Sequence, residues 1–347
     1  MYDKKIIKLN KNMTSFLFYN ETLKEIKKYY RSDDYKIDRQ PPIISFEDVD
    51  YIDSSAITCV MVLGLYLKNF HNENIRLEFK YNPNLLKTLY DIKFFIISKE
   101  LDIFSYDENL LGGFSDIEHR KDHKMNFYEH MNEYYQLSDE SKKIKYKDTL
   151  FEYLRYNIIP NNYLQIIKDK NVFNEYEISD VLNIFSEIIC NAILYSKSYS
   201  FTNVHTNKYK TLISISDIGI GFEESLKQKK FFDYPIYKKY KHNNYCDIIE
   251  NLRDFIMIFE SLNYSMNQDR QNLWRLKNMI VKNGGTFRIH YNTTQVIFTH
   301  SRCQNCSKDS YECSICLLQD YNSNMQVSPI RLFDTKFPGV HIEVELK

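Results

Sequence analysis

The pattern of the chain predicts an α/β protein made of two successive strand-and-helix units joined by a helical region. Three observations carry this. Short apolar runs bounded by turn residues alternate with helix-period stretches at both ends of the 347 residues. A polar stretch between them, Asp107 to Lys124, holds Gly112-Gly113 and is the natural linker. The chain then closes on Val340, Ile342, Val344 and Leu346, a period-two alternation that marks a half-buried strand.

In the first unit, Lys5–Leu9 is a short apolar strand and Leu23–Tyr30 a helix. Ile43–Phe46, entered through Pro41-Pro42, is a buried strand. A turn over Asp48–Asp53 leads into a helix from Ser54 to about Phe70, with Asp53 or Ser54 able to cap it. Ile75–Phe79 follows as a strand and Asn82–Tyr90 as a helix, and the unit ends near residue 106. Tyr- and Lys-rich helical segments fill about 125–170, so 107–174 is expected to be a helical linker region. From 175 to 347 the second unit runs as helix, strand, helices and several alternating strands.

Lys+Arg and Asp+Glu are equal at 46 each, so no global field draws the protein to nucleic acid. No apolar run approaches the roughly 20 residues a membrane helix needs. Met1 to Asn10 lacks an apolar signal core. The expectation is a cytosolic protein with protein partners, able to form a homodimer. In a reducing compartment the seven cysteines need a reason other than disulfides. Cys303-x-x-Cys306 and Cys313-x-x-Cys316 present four soft ligands in two turns, the donor set of tetrahedral Zn²⁺. The plain alternative is free or redox-active thiols. The segment 300–320 reads as a zinc-knuckle insertion at a hairpin tip after Val296–Thr299, while Cys59, Cys190 and Cys246 lie on apolar patterns and read as core.

On a helix from Ile178 to Ser196, Asp180, Asn183, Glu187 and Asn191 share one narrow stripe and the remaining circumference is mostly apolar. A polar stripe on a buried helix must face partners or a cavity; on an ordinary amphipathic helix it would face solvent. Thr211–Ser216 is a β-rich run ending in Asp217-Ile218-Gly219-Ile220-Gly221-Phe222. Two glycines after an acidic residue at a strand end let backbone approach a flat ligand closely, and the carboxylate can accept from an exocyclic amine such as that of adenine.

Glu187-x-x-x-Asn191 followed 26 residues on by Asp217-x-Gly219-x-Gly221 resembles the N-box and first glycine box of the GHKL ATPase superfamily. The run Glu187–Ser196 is closest to its histidine-kinase and anti-sigma-kinase branches. Leu273–Val281, then Asn283-Gly284-Gly285-Thr286, is similar to the helix and turn before the family's last strands. The resemblance covers roughly 175–300 and 330–347 and implies a Bergerat α/β sandwich. It implies that Asn191 ligates phosphate-bound Mg²⁺, that Asp217 reads adenine, and that Glu187, as the catalytic residue, orients or deprotonates the attacking group. The second glycine box is degenerate, with Arg270 and Asn272 where its glycines belong. Either Arg270 replaces the phosphate cradle with a charge, or ATP binds without efficient turnover, or it does not bind. Lysines over Lys227–Lys241, among them Lys229, Lys230, Lys238 and Lys239, stand where a lid would begin.

Asp53-Ser54-Ser55-Ala56 after a strand and turn resembles the motif of STAS domains, the anti-sigma-antagonist fold, over residues 1–106. Ala56 departs from the usual glycine. The resemblance implies Ser54 as a phosphoacceptor; the alternative is that Ser54 and Ser55 only cap the helix. Together the expectations describe a regulatory protein that binds ATP and Mg²⁺ and signals through protein partners, of a partner-switching, stress-response or phage-defence type. The alternatives are an active ATPase or a serine kinase acting on a STAS partner, and a scaffold with a dead nucleotide pocket.

Overall fold

The computed structural model describes residues 6–31, 40–114, 123–168, 173–196, 198–243, 252–267, 272–303, 309–323 and 328–347. They form a mixed α/β structure with one parallel and one antiparallel main sheet.

In the N-terminal part, β1 (Ile6–Lys8), β3 (Ile43–Ser45), β5 (Ile75–Glu78) and β6 (Phe104–Ser105) make a parallel sheet in that order. A short parallel pair, β2 (Asn12–Met13) with β4 (Tyr51–Ile52), sits beside it. Helix α1 (Ser15–Leu17) runs through a π turn at Phe18–Thr22 into α2 (Leu23–Arg31). Helix α3 (Ser54–His71) starts at Asp53, whose carboxylate accepts from the Ala56 N–H at 2.7 Å, so Asp53 and not Ser54 is the cap. Thirteen of the eighteen residues of α3 are buried, which is the signature of a helix covered on both sides. At Gly64 a side chain would collide with the Phe104 ring at 2.1 Å, so glycine sets how closely α3 lies on the parallel sheet. Helices α4 (Pro83–Asp91) and α5 (Phe94–Glu100) complete this core.

The antiparallel sheet has the order β10-β11-β9-β8-β7, from β7 (His123–Tyr128), β8 (Ser200–Thr206), β9 (Thr211–Asp217), β10 (Thr286–Thr299) and β11 (Ile330–Leu346). Residues 125–128, expected to be helical, are therefore strand. Met125 and Phe127 alternate with polar neighbours and pack into the N-terminal core, so burial favours a strand there despite good local helix formers. Helices follow as expected over α6 (Asn132–Gln136), α7 (Glu140–Tyr153) and α8 (Gln165–Lys168).

One face of this sheet carries Val204, Ile213, Ile215, Phe287, Ile289, Ile342, Val344 and Leu346 into a core with α9 (Glu175–Tyr195), α12 (Arg253–Met266) and α13 (Asn272–Lys282). Helices α10 (Gly221–Gln228) and α11 (Pro235–His242) lie before α12. The opposite face meets α3, which lies on β8 and β9. The closing strand thus differs from the expected half-buried one. His341 and Glu343, on the supposed solvent side, are 2% and 8% exposed because the N-terminal unit covers them.

The expected hairpin knuckle takes another form. The described parts are helices, α14 (His300–Cys303) and α15 (Ser310–Ser323); Cys303 and Cys313 are buried and Cys316 partly so. Cys313 and Leu317, one helical turn apart, pack with Leu318 on the C-terminal core and favour helix for the segment. Cys306 and Cys246 lie outside the described residues. Among the described residues no group of three or more His, Cys, Asp or Glu is placed to hold a metal. Cys59 and Cys190 are buried, as expected of core residues.

Candidate functional site

A capping box holds the start of α9: Asn174 accepts from the Glu177 N–H at 2.9 Å, and Glu177 accepts from the Asn174 N–H at 3.2 Å. Helix α9 is the one described helix long and apolar enough to cross a membrane by composition, and 67% of its most apolar window is buried within the fold. Its polar stripe divides. Asp180 pairs with Arg275 of α13, an intramolecular tie. Glu187 and Asn191, two turns further on, face a cavity of about 380 Å³.

Asp217, at the tip of β9, lines the same cavity. Its Oδ1 accepts the Gly219 N–H at 2.6 Å, and the Val340 backbone also donates to the carboxylate. Burial outweighs both bonds and pushes the Asp217 carboxyl up to about 7. The glycines make this geometry possible. A Cβ on Gly219 would stand 2.5 Å from Asp217 Oδ1 and 2.8 Å from the Tyr195 carbonyl. Gly339 of β11, at φ +91°, crosses so close that a Cβ would lie 1.9 Å from the Asp217 carbonyl oxygen.

At the α9 end two ammonium groups converge. Lys147 of α7 places Nζ 2.8 Å from Glu187 Oε1 and 3.3 Å from Asn191 Oδ1. The Glu187 side chain is 4% exposed and that of Lys147 27%. Burial opposes the charge on Lys147, but Glu187 outweighs it and raises the ammonium above its ordinary value. Lys229, just after α10, lies 5.2 Å from the ring centroids of both Tyr195 and Tyr264. Burial first, then neighbouring Lys147, lowers it to about 8. The lining of this cavity therefore combines the buried Asp217 carboxyl, the apolar Ile215 and Ile342, and a polar group in which two lysines meet one carboxylate, Glu187. A ligand matching this lining donates a hydrogen bond to the Asp217 carboxyl and carries negative charge for the lysines.

Glu187, Asn191, Asp217, Gly219 and Gly221, assembled from sequence spacing, all line this one cavity. Arg270 lies outside the described residues. Ser54 belongs elsewhere. It is 1% exposed, its carbonyl accepts from Asn203 Nδ2 at 3.3 Å and Ser214 Oγ at 3.1 Å, and its hydroxyl has no hydrogen-bond partner among the described residues. Of the lysines over 227–241, Lys229 alone lines the cavity among those described; Lys238 pairs with Asp233, and Lys239 sits over the Tyr311 ring. Sequence reasoning missed Lys147, Tyr264 and Gly339. The first comes from the region read as linker, and nothing local marks it among the lysines of α7.

No family model matches this chain, and neither a curated protein nor a solved structure does.

Proposed function

We propose that the chain is a regulatory protein that binds ATP in the cavity between α9 and β9, a pocket of the GHKL kind. Its STAS-like N-terminal unit docks on the back of the same sheet. The observation that carries this is the position of Asp217: a buried carboxyl lining one cavity together with Lys147 and Lys229. Ionised, it accepts from the exocyclic amine of adenine, while the lysines meet the phosphates. The cavity volume, about 380 Å³, falls in the range of small-molecule sites. Binding is favoured over turnover, because the carboxylate that would activate a nucleophile is already held by an ammonium 2.8 Å away. Signalling then runs through protein contacts.

Calorimetry of the full chain tests the reading. Wild type is expected to bind ATP, and Asp217→Asn to bind about tenfold or more weakly, the size of one hydrogen bond to a charged group. GTP, which presents a carbonyl where adenine has its amine, is expected to bind more weakly than ATP. Absence of ATP binding by the wild-type chain, or equal affinity in the variant, would sink it.

A further inference from the structure

The GHKL resemblance carries a divalent cation with it, and the residues present fit that cation poorly. Mg²⁺ needs near-octahedral oxygen donors at about 2.0–2.1 Å and tolerates no cationic side chain among them. Here Asn191 Oδ1, the expected ligand, faces Lys147 Nζ at 3.3 Å, and the nearest buried carboxylate, Glu187, holds the same ammonium at 2.8 Å. The ammonium thus bridges the two side chains that the resemblance assigns to metal binding and to catalysis. Asp148, exposed at the cavity wall, is the remaining carboxylate near this end. It adjoins Lys147 in sequence.

We propose that this pocket takes its nucleotide without a divalent cation, with Lys147 standing where the metal would be and Lys229 as the second phosphate-neutralising charge. The inference rests on the nucleotide-binding reading above and deepens it. A Lys ammonium is a compact charge with three donors. With one held by Glu187 and one by Asn191, the third is left for a phosphate oxygen. Lys229, held beside the rings of Tyr195 and Tyr264, lines the same cavity. Because α7 precedes α9 and packs beside it, the cation is part of the fold and need not be recruited from solution. Glu187 remains tied to Lys147, so the bound nucleotide is retained and not hydrolysed.

The test is the affinity of the full chain for ATP in magnesium buffer and in EDTA. Wild type is expected to bind equally well, within about twofold, in both. Lys147→Arg keeps the charge and is expected to keep that insensitivity. Lys147→Met is expected to lose about tenfold or more in EDTA and to recover part of it when Mg²⁺ is added, because the ammonium no longer stands between Asn191 and Glu187. Lys229→Met weakens binding by the same factor in both buffers. Wild-type binding that falls tenfold or more in EDTA overturns the inference and leaves the nucleotide reading standing. Absence of wild-type binding in either buffer removes both. The wild-type comparison alone decides the matter if Lys147→Met, which takes an ammonium from a buried carboxylate, fails to fold.

Discussion

On the α9 side of β9 the buried ionisable residue is Asp217, set in a cavity with its pKa pushed up to about 7. On the α3 side the buried polar residues are Ser214 and Ser216, and they are spent on neighbours. Thr58 Oγ1 lies 3.3 Å from Ser214 Oγ and 3.1 Å from Ser216 Oγ, and Ser214 also donates to the Ser54 carbonyl. The two faces alternate along one seven-residue strand. Buried hydroxyls with partners across an interface glue two units together at modest net gain. A buried carboxyl whose stabilising bonds come only from backbone N–H groups, beside open volume, is costly unless a ligand uses it.

The sharpest way to break this contrast is at Gly339, where β11 crosses Asp217. Gly339→Ala adds a Cβ onto a backbone carbonyl at positive φ, and should cost about 3 kcal/mol or more. An unchanged denaturant midpoint would show that the close crossing does not exist.

Next comes the charge state of Asp217. Its carboxyl titrates at about 7 in the fold against 3.8 ordinarily, so the folded chain holds this proton more tightly than the unfolded one. Its contribution to stability is present below about pH 4 and is lost as pH rises through about 7. Asn carries no such penalty. The melting temperature of Asp217→Asn relative to wild type should rise from pH ~4 to ~8. Buried His290 and His341, whose pKa values burial lowers, act in the opposite direction, but they are common to both proteins and cancel in the difference. A difference flat with pH would mean that Asp217 is not desolvated.

The smallest effect lies on the outer face. Thr58→Val removes a hydroxyl whose partners keep other bonds, so a loss of about 1 kcal/mol is expected. ATP affinity should stay within twofold. A tenfold loss of affinity would erase the distinction between the faces.

How much of this could be read from the chain follows the same divide. Glu187 with Asn191, and Asp217 with Gly219, were legible as pairs because helical and strand-end spacing set each pair locally, while the two pairs were joined only by the family resemblance. Lys147 was not, since it meets Glu187 across forty sequence positions and a lysine on a polar helix looks like any solvated one. The helix of α3 and the strands around it were also readable from period and turn residues. Its position was not: His341 and Glu343 alternate as a solvent face would, and only tertiary docking buries them. Strand β7 was hidden for the reason that hides most edge strands, too few apolar residues to outvote local propensity.

The seventeen residues of β11 join both stories. Phe333 and Phe337 belong to the N-terminal core; Gly339 touches Asp217; Val340 and Ile342 line the cavity. The strand is a common rail, gripped at one end by the docked unit and at the other by the ligand wall. Thermodynamic reciprocity then links the two grips. By the factor that an occupied pocket changes the hold on Phe333 and Phe337, the docked unit changes the affinity of the pocket. Measuring either one reports the other.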